Sequence, residues 1–127
     1  MEDVLDASTR YLHPTSSHVM REAIDVGLAM AREKGDYKAF REAYYGTRLR
    51  DIISDSRETV PASLALLYLA DGDPRKAIEY AGNFGRDADT IATMTGALVG
   101  ALHGVDALPE GWVQKVVAQL PEQGNLA

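Results

Sequence analysis

Residues 82–90 read Gly-Asn-Phe-Gly-Arg-Asp-Ala-Asp-Thr and lead into a helical run of small and apolar residues over positions 91–104. Three hard oxygen donors, Asp87, Asp89 and Thr90, fall within four positions where the glycine-rich turn meets this helix. Mg²⁺ and Mn²⁺ prefer such oxygen ligands, because hard cations take hard donors. The stretch therefore predicts part of a site for one or two of these cations.

The same acidic residues also have a purely structural interpretation. An Asp at a helix start commonly caps it, because its carboxylate accepts from unpaired backbone N–H groups and suits the helix dipole. In this alternative Asp87 and Asp89 only cap a helix, and the chain is a non-catalytic helical module whose role is association.

Small residues recur on the helix behind the turn, at every fourth position: Ala92, Gly96, Gly100 and Gly104. This spacing places them roughly on one face of a helix. Glycine inside a helix costs about 1 kcal/mol relative to alanine, so its repeated use needs a reason. The pattern predicts that another helix approaches this face closely and makes it a rigid base for ligands at its N-terminus.

The turn itself offers two candidate substrate-binding residues. Gly82 and Gly85 bracket it, and glycine allows positive φ or close approach of the backbone to a ligand. Arg86 either donates bidentately to a phosphate of the ligand or pairs with a neighbouring acid. We assign Gly85 and Arg86 as these candidates and leave both alternatives for Arg86 open.

The run from Gly85 to Ala92 resembles the C-terminal metal motif of the ADP-ribosylglycohydrolase family. That motif usually reads Gly-Gly-Asp-Thr-Asp-Thr-Ile-Ala, followed by Gly-Ala-x-x-Gly-Ala, which looks like Gly96-Ala97 and residues 100–104 here. The sequence departs from it at two positions, with Arg86 at a usual Gly and Ala88 at a usual Thr. Residues 58–65 and 72–78 look like the family's approach to this motif, and residues 108–112 resemble its closing segment. The resemblance thus covers roughly residues 57–116, with weaker similarity before them.

The resemblance implies an all-α hydrolase with two Mg²⁺ or Mn²⁺ ions, which cleaves the N- or O-glycosidic bond of ADP-ribose. It implies that Asp87, Asp89 and Thr90 hold the cations. The family takes further ligands from an N-terminal Thr-Asp-Asp cluster and a Gly-Asp-rich segment, but no Asp-Asp pair occurs in this sequence. The chain is therefore expected to be the C-terminal part of such a hydrolase, with half of a dinuclear site and no activity alone.

Coordination chemistry leads to the same expectation. A Mg²⁺ ion takes roughly six oxygen ligands, and three clustered side chains cannot complete two such spheres. The expected partners are an ADP-ribose-type ligand and either a missing N-terminal half or a second copy of the chain. The catalytic residues stay unassigned, because no general acid or base can be named from the sequence.

Composition favours one all-α unit over residues 1–127, a compact helical bundle. The 127 residues are 46% hydrophobic but include only two Phe and one Trp, a composition more helical than sheet-like. Within this unit we predict a flexible arm or short helix at residues 1–14, the metal-motif turn and helix at 82–104, and a disordered tail at 122–127.

The charge and the apolar pattern exclude some partners. A net charge of −6 disfavours nucleic-acid binding, which needs clustered Lys and Arg. The longest apolar stretch, residues 62–70, is far shorter than a membrane span. The chain has no cysteine, which fits a reducing compartment. We predict a soluble cytoplasmic protein without nucleic-acid or membrane partners.

Periodicity and helix caps predict where the helices lie. Five ranges are typical of helices: residues 18–34, 37–50, 62–70, 75–81 and 91–104. A last amphipathic helix is expected after Pro109, and residues 52–59 are expected to form a loop. Because residues 62–70 are apolar almost all round, they predict the central helix of a bundle.

Overall fold

The computed structural model describes residues 2–120, and every regular element within them is helical. The helices are α1 (Glu2–Arg10), α2 (His18–Lys34), α3 (Tyr37–Thr47), α4 (Ser56–Leu69), α5 (Pro74–Gly82), α6 (Ala88–His103) and α7 (Glu110–Gln119), with a 3-10 turn at Val105–Ala107. The all-α prediction is therefore confirmed. The tail predicted at residues 122–127 lies outside the described part of the chain.

Helix α4 is the centre of the bundle, as its sequence predicts. Residues 61–67 are all buried, and α4 packs against α2, α5 and α6. An apolar surface that runs round a helix has to be covered on several sides, which only a central position provides. The helix that carries the metal motif, α6, thus rests on the most buried element of the protein.

The closest helix approach at a glycine lies between α2 and α4. A Cβ atom added at Gly27 would lie 3.0 Å from the Cβ of Pro61, so a larger residue would fit only if Pro61 moved away. Helix α2 buries Gly27 together with Ile24 and Leu28 on the same face. A close helix contact at a small residue therefore occurs here, at a glycine that the sequence pattern did not single out.

The close approach predicted for the small-residue face of α6 is wrong for the described residues. A Cβ atom added at Gly96 or Gly100 would meet no atom within 4 Å from residues 2–120. Helix α6 instead buries the neighbouring face, formed by Ile91, Thr95 and Val99. Its glycine face is left open.

The loop predicted at residues 52–59 ends earlier than expected. Helix α4 begins at Ser56, because the Asp55 carboxylate caps it by accepting from the N–H of Arg57 at 2.8 Å. Proline is tolerated without loss of a backbone bond only in the first turn of a helix, which is why the predicted helix starts at residue 62. Proline at position 61 lies inside the helix.

Helix α3 is shorter than predicted, ending at Thr47 instead of residue 50. The chain then turns, and the N–H of Arg50 donates to the Glu58 carboxylate at 2.6 Å. This bond replaces a helical one and ties the end of α3 to the start of α4. It also brings residues 48–50 close to the metal-motif turn.

Two alternatives were open for the N-terminus, a flexible arm or a short helix. The structure has the helix, over residues 2–10. Leu5 is 2% exposed and packs against a cluster formed by Ile24, Leu28 and Leu64. In residues 2–120, every helix is too short or too polar to cross a membrane.

Candidate metal-motif site

The turn between α5 and α6 is anchored by Phe84. Its side chain is fully buried, with ring centroids 5.6 Å from both Tyr44 and Tyr45. Its carbonyl accepts two hydrogen bonds, from Arg41 Nε at 2.8 Å and from the Tyr45 hydroxyl at 2.6 Å. The backbone just ahead of the acidic residues is therefore fixed by α3.

Gly85 follows this anchor in a conformation that suits glycine. Its φ is 85°, and a Cβ atom there would lie 2.5 Å from the Tyr45 hydroxyl oxygen. The positive φ predicted for the turn is thus found at Gly85, whereas Gly82 is the last residue of α5 and has none. Contact of Gly85 with a substrate stays a prediction.

Arg86 pairs with a buried acid. Its Nε lies 2.7 Å from Glu58 Oε1 and its Nη2 lies 2.9 Å from Oε2, while Glu58 is 0% exposed. This hydrogen-bonded carboxylate raises the pKa of the Arg86 guanidinium. Of the two alternatives for Arg86, the structure has the pairing with an acid, so two of its three nitrogens already bind within the protein.

Glu58 is the site residue that the sequence reasoning missed. It falls in the loop predicted at residues 52–59, yet its carboxylate accepts from Arg86 and from the N–H of Arg50. The available signal was an acid directly ahead of an almost wholly apolar stretch together with an arginine in a glycine-rich turn. Pairing across 28 positions of sequence is not visible from periodicity.

Asp87 occupies the position of a helix cap without making the cap's hydrogen bond. It stands at the N-cap position of α6, but its side chain accepts no hydrogen bond from the helix. The residue is 8% exposed, and its Oδ2 has no hydrogen-bond partner within residues 2–120. Burial of an unpaired carboxylate oxygen is costly, so this atom calls for a partner from outside these residues.

The other N-cap aspartates behave differently. Asp36, Asp55 and Asp73 each accept from one or two backbone N–H groups of their own helices. Capping is therefore the ordinary role of Asp in this fold, and Asp87 is the exception. The chemistry of its free oxygen fits a hard cation.

Asp89 and Thr90 lie in the first turn of α6 and are exposed. The backbone carbonyl of Asp89 accepts from the Thr93 hydroxyl at 2.7 Å, and its side chain makes no hydrogen bond among the described residues. The structure gathers no group of three or more His, Cys, Asp or Glu side chains that could hold a metal in residues 2–120. The predicted metal residues thus form an open, partial set of oxygen donors.

The comparison with known families gives one match over almost the whole chain. The family model described as ADP-ribosylglycohydrolase matches residues 1–126. The chain is 32% identical to the uncharacterized protein YegU of Escherichia coli K12 over 94 residues, which covers 74% of this chain and 28% of that protein. No solved structure matches.

Two further relatives have described activities. ADP-ribosylarginine hydrolase Tri1 of Serratia proteamaculans is 35% identical over 107 residues, covering 82% of this chain and 26% of that protein. Human ADP-ribosylhydrolase ARH3 is 48% identical over 40 residues, covering 32% of this chain and 11% of that protein. The chain thus spans about a quarter of the length of YegU and of Tri1.

Proposed function

Since this chain belongs to the ADP-ribosylglycohydrolase family, we propose that it supplies one part of the active site of a hydrolase that cleaves a glycosidic bond of ADP-ribose. Two relatives are described as ADP-ribosyl hydrolases, which supports this reaction class. The observation that carries the proposal is the buried, unpartnered carboxylate oxygen of Asp87 at the start of α6.

In this proposal Asp87, Asp89 and Thr90 are cation ligands. A Mg²⁺ or Mn²⁺ ion at Asp87 Oδ2 would satisfy the one N-cap carboxylate that does not bond to its own helix. Asp89 and Thr90 lie within the same helical turn and face solvent, where a cation can reach them. Because two ions need about twelve ligand positions, the remaining donors come from water, the substrate and another protein segment.

The residues around the turn have a positioning role. Arg41 and Tyr45 hold the carbonyl of Phe84, and Glu58 holds Arg86, so Asp87 is flanked on its N-terminal side by fixed backbone. Divalent cations, when bound, would orient the ribose and lower the pKa of a water molecule. The general acid or base stays unassigned.

A completing segment would dock on α6. The open face at Gly96 and Gly100 accepts close backbone approach, and it adjoins an apolar groove lined by Val60, Leu64 and Leu98. Glycine inside a helix lowers its helix propensity, and close packing against another helix is a reason to use it there. We propose that the rest of a family-sized domain, or a second copy of this chain, covers this face, and that the assembly acts in the cytoplasm.

The competing function is an association module in which Asp87 and Asp89 only cap α6. It shares the open glycine face but gives no account of the free Asp87 oxygen. The absence of a side-chain cap bond at Asp87 therefore favours the hydrolase.

A hybrid enzyme tests the proposal. The 107 residues of this chain that match Tri1 would replace the corresponding segment of that protein, and release of ADP-ribose from ADP-ribosylated arginine would be measured. We expect activity from the hybrid, loss of most of it in Asp87→Asn, and retention in Asp106→Asn, which removes one exposed charge elsewhere. Equal rates for all three would show that Asp87 has no part in the reaction.

A further inference from the structure

A cavity that the metal-motif residues do not line lies between α2 and the end of α3. Its volume is about 200 Å³, and its polar lining includes Glu22, Tyr44, Thr47, Arg48, Arg50 and Arg57. Arg57 is paired with Asp55, so Arg48 and Arg50 outweigh Glu22 and leave this wall positive in a chain whose net charge is −6. A local reversal of sign of this kind attracts anions.

Two of these arginines have no partner of their own. The guanidinium groups of Arg48 and Arg50 make no hydrogen bond or ion pair within residues 2–120. Six other arginine side chains do bond, either to acids or to backbone carbonyls: Arg21, Arg32, Arg41, Arg57, Arg75 and Arg86. Unused donors beside a cavity are available to a ligand.

The backbone that carries Arg48 and Arg50 is held in place although it is not helical. The N–H of Arg48 donates to the Tyr44 carbonyl at 2.8 Å, and the N–H of Arg50 donates to Glu58 at 2.6 Å. The carbonyl of Arg50 accepts from Arg86 Nη2. Because both the backbone N–H and the carbonyl of Arg50 are hydrogen-bonded, the backbone that carries its side chain is fixed.

The charges of these arginines reach the cavity wall. Burial, and then the charge of Glu58, raise the pKa of Tyr44, while the charges of Arg48 and Arg50 oppose that rise. Arg57 completes the wall, with its guanidinium already oriented by the Asp55 carboxylate. Glu22 is the acid that faces the cavity and partly offsets these charges.

We propose that this cavity binds a phosphate or diphosphate group, with Arg48 and Arg50 as its principal donors. Planar guanidinium groups match phosphate oxygens with paired hydrogen bonds, and two free ones on a fixed backbone provide such pairs. The group comes either from the diphosphate of an ADP-ribose-type ligand or from a free anion. Only the first source rests on the proposed function.

The test is a titration without metal, monitored by two-dimensional NMR of the backbone amides. Inorganic phosphate, pyrophosphate and ADP-ribose would be added separately to the wild-type chain. We expect saturable shifts centred on residues 47–50, with pyrophosphate binding more tightly than phosphate. Arg48→Gln and Arg50→Gln each weaken pyrophosphate binding by about tenfold, because each removes charge-assisted hydrogen bonds.

Two further variants sharpen the result. Arg10→Gln removes the same charge from an exposed residue outside the cavity, and it leaves the affinity nearly unchanged. Glu22→Gln removes the opposing charge and tightens binding. Thermal melts of all four variants check that the exposed substitutions leave the fold intact.

The outcomes separate the sources and decide the proposal. Tighter binding of ADP-ribose than of pyrophosphate assigns the cavity to the diphosphate of such a ligand, and the reverse order assigns it to a free anion. Absence of saturable pyrophosphate binding, or equal affinities for Arg48→Gln, Arg50→Gln and Arg10→Gln, would overturn the site. Metal binding at Asp87 is measured independently, so failure of either leaves the other standing.

Discussion

Arg86 and Glu58 form a forked ion pair, with Nε 2.7 Å from Oε1 and Nη2 2.9 Å from Oε2, that joins the metal-motif turn to the first turn of the central helix. Glu58 is completely buried, and Arg86 has a φ of 58°, which is unusual for a residue other than glycine. The pair therefore stabilises a strained backbone directly ahead of Asp87.

Glu58→Gln should lower the free energy of unfolding by about 3 kcal/mol, because it leaves Arg86 partly buried without its counter-charge. Arg86→Gly relieves the positive φ but leaves Glu58 buried and unpaired, so it is also destabilising. Urea denaturation of both variants and of the double variant gives the coupling energy. The double variant should be more stable than the sum of the two effects predicts, and simple additivity would contradict a direct interaction.

Gly85→Ala should destabilise the chain by about 1–3 kcal/mol, because its φ is 85° and its Cβ would collide with the Tyr45 hydroxyl. The matched control is Gly96→Ala, where a Cβ meets no described atom and the φ is helical. That variant should gain about 0.5–1 kcal/mol from helix propensity. Denaturation midpoints measure both, and similar effects at the two glycines would refute the difference assigned to the turn.

Stability at acid pH should depend on Asp55. Hydrogen bonds from the Arg57 side chain and then from its backbone N–H lower the pKa of Asp55 from 3.8 to about 2. A lowered pKa in the folded state means that the stabilisation is present above the unfolded pKa and is lost as the pH falls towards 2. Asp55→Asn keeps a capping side chain but removes the charge that pairs with Arg57. Its melting temperature should therefore lie below that of wild type at neutral pH, and the two should converge between pH 4 and pH 2. A constant difference over that window would argue against the ion pair.

The sequence predicted the elements of this fold better than their partners. The all-round apolar run at residues 62–70 indicated a central helix, because burial on several sides follows from the run itself. The glycines of α6 indicated a close contact, but a pattern on one helix does not say whether its partner belongs to the same chain. Within residues 2–120 that partner is missing, and the close approach lies at Gly27 instead.

The site was predicted in the same uneven way. Hard oxygen donors at a helix start were visible as a motif, so Asp87, Asp89 and Thr90 could be named. Whether an Asp caps its helix depends on its rotamer and burial, which only the structure gives. Periodicity does not identify Glu58, because its contacts with Arg86 and Arg50 run across a turn and leave no periodic signal.

The most direct test of the central claim is Mn²⁺ binding by the isolated chain, measured by electron paramagnetic resonance and by calorimetry. The measurement compares wild type with Asp87→Asn and with Asp106→Asn, which removes the same charge at an exposed position. The account predicts that wild type and Asp106→Asn bind Mn²⁺ alike and that Asp87→Asn binds it at least about tenfold more weakly. Measurable Mn²⁺ binding that is equal in wild type and Asp87→Asn would contradict the assignment of Asp87 as a metal ligand.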